Sequence, residues 1–302
     1  MAPVTVRAPA KVNLALAVGA PSSDGFHPLA TVYQAVSVYD DVRAVAAEPG
    51  EFSVRVTGAD SDDVPTDERN LAVRAARMLA QRHDVKGAGA ALHIHKSVPV
   101  AGGMAGGSAD AAAALVACDA LWGVQAPRSG LLELAAELGS DVPFCLVGGT
   151  AVGSGRGEQV TPVLGRGSYS WVIAYAERGL PTPQVYAELD RIRAGRAVPL
   201  PVVPGQLMNA LRNGNARALG DALCNDLQAA ALELRPELAR ILDVGDAAGA
   251  LASLVSGSGP TTLFLARDDE HASDVATALS SAGVCRLAQR VTGPVPGARV
   301  IR

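Results

Sequence analysis

Gly102, Gly103, Gly106 and Gly107 lead into Ser108 and then into the alanine-rich stretch Ala109–Leu115. Glycine is a poor helix former and alanine the best, so the spacing predicts a loop whose exit is a helix start. Ser108 is the expected N-cap. Free N–H groups at a helix start, with the positive end of its dipole, hold anions such as nucleotide phosphates. A plain glycine hinge between a strand and a helix accounts for the same residues equally well. The run is not a Walker A loop, which needs Lys and Ser/Thr straight after the last glycine. It is not a dinucleotide fingerprint either, and the protein-kinase motif set is missing. A lysine for phosphate chemistry must therefore come from elsewhere.

Two stretches offer partners. "PAKVNLAL" carries Lys11 and Asn13 in an otherwise apolar strand, and "GSDVPF" carries Asp141 after a helix and before a proline. Taken singly, a strand lysine more often snorkels or forms a structural pair, and such an aspartate more often caps or turns. His93 and His95 alternate on a strand and share a face, but no third ligand follows at metal-site spacing, so they read as structural. Gly257, Gly259 and Pro260 predict a tight turn, either an ordinary hairpin or one that closes over phosphates.

The surrounding pattern alternates strands and helices. Strands are expected at "VTVRAPAKVNLALAV", "TVYQAVSVYDDVRAVAA", "EFSVRVTG", "GAALHIHKSVPV", "AVGSGRGEQVTPV" and "SYSWVIAYA", with "CRLAQRV" as the last. Helices are expected over Asp67–His83, Ala109–Leu121, Gly130–Leu138, Ala216–Leu232, Pro236–Ala248 and "DEHASDVATALSSAG", with a proline-led start at "GLPTPQVYAELDRI". Gly165–Ser168 is the expected seam, and "RAVPLPVVPG" a loop.

With 302 residues and 49% hydrophobic content the chain can bury one large core or two ordinary ones. A net charge of −4 without a basic stripe argues against nucleic acid as the partner. Cys118, Cys145, Cys224 and Cys285 form no CxxC pair, which suits a reducing compartment. Arg7, Lys11 and Asn13 interrupt the first apolar run, so no signal peptide is expected, and no stretch is long and apolar enough for a membrane span. The expectation is a cytoplasmic enzyme or binding protein, monomer or homodimer.

Together, "PAKVNLALAV…SSDGFHPLATVYQ", "PVAGGMAGGSADAAAAL" and "LVSGSGPTTLF" resemble, in order and spacing, the three motifs of the GHMP small-molecule kinases. "AKVNL", "DGFH", "GSDVPF" and "GRGE" are most similar to the branch that phosphorylates a cytidine diphosphate ester of methylerythritol in non-mevalonate isoprenoid synthesis. The resemblance runs from about Pro9 to Phe264. It implies an α+β fold of two domains, 1–165 like the second domain of ribosomal protein S5 and 166–302 a ferredoxin-like GHMP domain, with the site in the cleft between them.

The resemblance also implies roles. Asp141 matches the catalytic aspartate and Lys11 its partner lysine. Pro99, Val100, Ala101, Gly102, Gly103, Met104, Ala105, Gly106, Gly107, Ser108 and Ala109 match the loop that cradles the ATP phosphates, and Ser108 is a candidate contact for Mg²⁺. Asn70 and Lys96 match positions near the adenine, against plainer roles as a helix-flanking polar group and a solvated strand end. Phe26 and Tyr186 match the aromatic sandwich for cytosine, and His27 the residue whose backbone reads its edge; Tyr186 packing on its own helix is the alternative. Asn13 and Thr182 match contacts to the polar chain of the substrate. The implied cofactors are ATP and Mg²⁺, the metal held either by protein groups or by ATP and water alone, with no protein metal ligand assigned.

The chain also departs from the family pattern. Ala105 and Ala109 stand where Gly and Ser are common, Phe26 where Tyr is, and Gln228 where Glu is. Rival readings are a kinase of the same family acting on mevalonate, homoserine or a sugar, and a nucleotide-binding regulator without catalysis. The candidate base-binding residues disfavour the first, and the Lys11 and Asp141 pair disfavours the second.

Overall fold

The computed structural model describes residues 2–100 and 102–301, so Ala101 lies outside the described residues. The first half runs β1 (Val4–Val18), β2 (Leu29–Ala46), β3 (Phe52–Gly58), α1 (Leu71–Arg82), β4 (Ala90–Lys96), α2 (Gly106–Trp122), α3 (Arg128–Leu138), α4 (Val142–Val147), β5 (Thr150–Ser154) and β6 (Gln159–Pro162). The second runs β7 (Tyr169–Tyr175), α5 (Thr182–Arg193), α6 (Gly205–Asn213), α7 (Ala216–Ala222), β8 (Cys224–Asn225), α8 (Gln228–Leu234), α9 (Glu237–Ala247), β9 (Ala252–Val255), β10 (Thr262–Ala266), α10 (Asp269–Ser281), β11 (Leu287–Gly293) and β12 (Arg299–Ile301). No described helix is long and apolar enough to cross a membrane.

The larger sheet has the order β12-β1-β2-β4-β3, with β5 and β6 continuing from β2 and β8 beside β1. The smaller sheet, β11-β7-β10-β9, is antiparallel throughout. Its β-α-β-β-α-β connection, with the fourth strand beside the first, is the expected ferredoxin-like layout.

The alanine run explains how α2 fits. Ala109 and Ala111–Ala114 are fully buried, so α2 packs by small side chains on every face against α1 and the larger sheet. A second apolar cluster joins the two sheets: Ala10, Val12 and Leu14 of β1 meet Trp171 and Ile173 of β7 and Leu263 of β10. The Trp171 indole donates to Gln34 Oε1 at 2.9 Å, so that buried N–H is satisfied.

Several expected boundaries move for identifiable reasons. Helix α2 begins at Gly106, and its N-cap is Ala105 in the left-handed region, φ 60°. Ser108 is therefore the third residue of the helix and not its cap. The helix expected over Ala216–Leu232 is two helices, because Cys224–Asn225 leaves to pair with β1. Asn225 Nδ2 there donates to the carbonyls of Val255 and Gly257 at 2.8 Å. "AVGSGRGEQVTPV" is a hairpin of two strands, β5 and β6. Beyond "CRLAQRV", the short β12 returns to the edge of β1. Helices α4 and α6 were not expected; α4 is only six residues long with Pro143 near its start, and α6 is short, although its Leu207, Ala210 and Leu211 do recur at helical spacing and are buried.

Candidate active site

Strand β1 carries Lys11 and Asn13 between two register shifts against β2, at Pro9/Ala10 and Asn13/Ala15. Such bulges re-aim side chains. Lys11 Nζ donates to Asn13 Oδ1 at 2.8 Å, Asn13 Nδ2 donates to Thr31 Oγ1 at 2.8 Å, and the Thr31 hydroxyl donates to the Ala15 carbonyl at 2.7 Å. This chain of buried bonds holds the lysine in one place. Asp141, the residue before α4, faces it with Oδ2 3.8 Å from Lys11 Nζ. Lys11 is buried, while the Asp141 side chain keeps 30% of its surface open. The carboxylate is thus reachable by a hydroxyl, and its cation is fixed behind it. Both line a cavity of about 850 Å³.

Tyr33 stands beside this pair, with Lys11 Nζ 5.7 Å from its ring centre. Burial, then the Asp141 carboxylate, holds its phenol well above the ordinary range, so it stays neutral. Sequence reasoning passed over Tyr33, which reads as an ordinary strand aromatic.

The glycine loop forms one end of the cavity. Pro99, Val100, Gly102, Gly103, Ala105, Gly106, Gly107 and Ser108 line it. Met104 and Ala109 do not: both side chains are fully buried in the core, and Met104 contributes its carbonyl, which accepts from Lys11 N at 3.2 Å. Gly103 needs to be glycine twice over, since its φ is 72° and an added Cβ would lie 2.7 Å from the Ser256 carbonyl oxygen. The Gly257–Pro260 turn therefore packs on the glycine loop, and its Ser258 hydroxyl bonds Thr182 Oγ1 at 2.8 Å.

Beneath the loop lies a buried charge cluster that sequence reasoning missed. Lys96 Nζ donates to Asp40 Oδ2 at 2.5 Å and to Asp110 Oδ2 at 2.8 Å. Asp40 also accepts from the amides of Ser97 and Val98, where the chain enters the loop. Lys96 is therefore not a solvated strand end. Burial alone would lower its ammonium; Asp110 and Asp40 outweigh that and raise it. Burial, with the Asp40 charge, raises the Asp110 carboxyl. Asn70 caps α1: its Oδ1 accepts from Ala72 N at 2.9 Å and its Nδ2 donates to the Pro65 carbonyl at 2.7 Å. Lys96 and Asn70 both line the cavity, with their polar atoms already engaged by protein. His93 and His95 are exposed on β4, away from the cavity lining.

The other end of the cavity is aromatic. Thr182, Tyr186 and Asp190 are four residues apart on α5, so they share the face that lines it. The expected pair was Phe26 with Tyr186; the direct ring contact of Tyr186 is with His27, centroids 5.0 Å apart. Burial pushes the Tyr186 phenol up to about 12, so it too stays neutral. Phe26 is half exposed, and the Arg156 guanidinium lies 3.7 Å from its ring centre. Arg156 also pairs with Asp24 at 2.7 Å. The helical spacing behind Tyr186 could have found Asp190; nothing in "GRGE" pointed Arg156 at Phe26.

One cleft thus holds a glycine loop at a helix start, a fixed lysine with a reachable carboxylate, and an aromatic wall. Family models describe the same chain: that of the GHMP kinases N terminal domain matches residues 70–149 and that of the GHMP kinases C terminal domain residues 207–285. The 4-diphosphocytidyl-2-C-methyl-D-erythritol kinase of Streptomyces avermitilis is 55% identical over 298 residues, 99% of each chain. The chain belongs to the GHMP kinases. Within them it falls with the 4-diphosphocytidyl-2-C-methyl-D-erythritol kinases. The relative of that name in Thermobifida fusca is also 55% identical, over 99% of this chain and 98% of its own. A crystal structure of 4-(cytidine 5'-diphospho)-2C-methyl-D-erythritol kinase aligns with TM-score 0.76 at 32% identity, covering 95% of this GHMP kinase and 98% of its own chain. A homoserine kinase from Cytophaga hutchinsonii reaches the same TM-score at 20% identity, covering 99% and 97%, so the backbone course is common to kinases of different acceptors.

Proposed function

We propose that this GHMP kinase transfers the γ-phosphoryl of ATP to the 2-hydroxyl of 4-diphosphocytidyl-2-C-methyl-D-erythritol, giving the 2-phosphate and ADP. The observation that carries the reading is the Lys11 and Asp141 pair lining one cavity with a glycine loop and an aromatic wall. Phosphoryl transfer asks for positioning and charge neutralisation more than for covalent chemistry. Asp141 accepts the acceptor hydroxyl's proton, or holds that hydroxyl in line. Lys11, already oriented by Asn13, neutralises the oxygens of the phosphoryl group in flight. The amides at the start of α2 receive the ATP phosphates.

The donor set fits a Mg²⁺ that arrives with ATP. No three His, Cys, Asp or Glu come together among the described residues, and Ser108 offers a hydroxyl on the loop side of the cavity. Bound there, Mg²⁺ would supply charge neutralisation at the β- and γ-phosphates. At the far end Phe26 and Tyr186 offer faces to a pyrimidine and His27 reads its edge, while Asn13 and Thr182 meet the polar chain. We assign residues 1–165 to the loop-bearing domain and 166–302 to the domain that brings α5 and the Gly257–Pro260 turn, and we read the protein as cytoplasmic.

A coupled ADP-release assay with ATP, Mg²⁺ and the cytidine acceptor tests this, with mevalonate, homoserine and galactose alongside. Turnover confined to the cytidine acceptor is expected. Turnover with another acceptor instead would leave the phosphate end standing and remove the base-binding end.

A further inference from the structure

His27 makes a contact that spans the two halves of the chain. It follows the β1–β2 turn, and its ring nitrogen Nε2 lies 2.9 Å from Oδ1 of Asp190 on α5. The imidazole is nearly buried, 7% exposed, with Tyr186 packed at a tilt of 41° against it. Asp190 itself is partly open to the cavity. We propose that Asp190 is a positioning residue that fixes the orientation and tautomer of His27, and through it the preference for an aminopyrimidine. The inference rests on the reading that a cytidine acceptor occupies this end.

Donors and acceptors decide the tautomer. A carboxylate only accepts, so the nitrogen facing Asp190 carries the proton. In the neutral ring Nδ1 is then an acceptor; among the described residues no donor reaches it, and it is not one of the buried atoms sealed without a partner, so a ligand can meet it. An acceptor on a nearly buried ring suits an amino group, which cytosine has at its fourth position. Uracil has a carbonyl there, which would oppose lone pair to lone pair. A site built to bond one partner rejects the analogue that leaves its buried polar atom unpaired. Without Asp190 the ring could flip or exchange tautomers, and the same nitrogen would accept in some molecules and donate in others.

Two measurements test this. Two-bond ¹H–¹⁵N correlation spectra of the labelled full-length protein, with the His27 signals assigned by their loss in His27→Gln, report the tautomer directly. Initial rates with the cytidine and uridine forms of the acceptor are then compared for wild type, Asp190→Ala and Asp190→Asn. The expected spectrum carries the proton on Nε2. Asp190→Ala should raise KM for the cytidine acceptor about tenfold and lower the cytidine-over-uridine preference about tenfold, with kcat and the KM for ATP within about twofold. Asp190→Asn, whose amide oxygen can accept the same bond, should stay within about threefold of wild type. A proton on Nδ1 in the wild type would overturn the proposal. So would an Asp190→Ala enzyme with unchanged preference, or one whose kcat and KM for ATP worsen along with the acceptor KM. If wild type used neither acceptor, the kinase reading would fail separately, and the spectrum would still decide the tautomer.

Discussion

The two ends of the cavity are built by different means. The glycine-loop side is backbone and fixed charge: glycines that admit close neighbours, a helix start, and Lys96 buried between Asp40 and Asp110. The aromatic side is side chains brought from distant parts of the chain: His27 on Asp190, and Phe26 under Arg156. The first rests on a buried charge cluster and close backbone packing, while the second is made of side chains partly open to solvent. A homoserine kinase shares the backbone course, so the common fold does not by itself set the acceptor.

Substitutions should separate the ends. The largest effect is expected from Lys96→Met, which leaves the buried Asp40 carboxylate and the Asp110 carboxyl without their cation and should cost about 3–5 kcal/mol in urea unfolding. Asp110→Asn in the same cluster should do the reverse. Its carboxyl is raised to about 8 by burial first, with Asp40 adding. A raised carboxyl contributes stability that is complete below the ordinary carboxylate range and is lost as pH rises through the folded value. Wild type should therefore lose stability between about pH 4 and pH 8 at this group, and Asp110→Asn should lack that loss. Unfolding at pH 5, 7 and 9 checks the sign; an Asp110→Asn variant that falls behind wild type as pH rises would refute it.

Tyr186→Ala acts at the other end. It should weaken binding of the cytidine acceptor by about 1–3 kcal/mol, read as KM, and leave the KM for ATP unchanged. Equal loss for both substrates would mean that the ends are not independent. The smallest effect belongs to Ala105→Gly. Ala105 sits at φ 60°, where an L side chain is strained, so glycine should stabilise by about 1 kcal/mol.

The same contrast explains what could be read from the chain. Glycine spacing is a local signal, so the glycine loop, the helix behind it and the Gly257–Pro260 turn were legible in the sequence. The position of Lys11 and Asp141 in one cleft came through the family resemblance, since 130 residues separate them. Local signals misjudged Ser108, because the left-handed turn at Ala105 starts α2 three residues earlier than Ala109, the first alanine of the run. Lys96 looked like a strand end because its partners lie in β2 and α2. The bond between His27 and Asp190 joins residues 163 apart and leaves no trace in spacing.

The central claim is that Asp141, held beside Lys11, orients and deprotonates the acceptor hydroxyl. The direct test is kcat for Asp141→Asn in the ADP-release assay, with acceptor and ATP binding measured by calorimetry on the same protein. The account predicts a fall in kcat of about 10²–10⁴ with both affinities within a few-fold of wild type. A variant that keeps wild-type kcat, or that loses turnover only because it no longer binds ATP or acceptor, would contradict it.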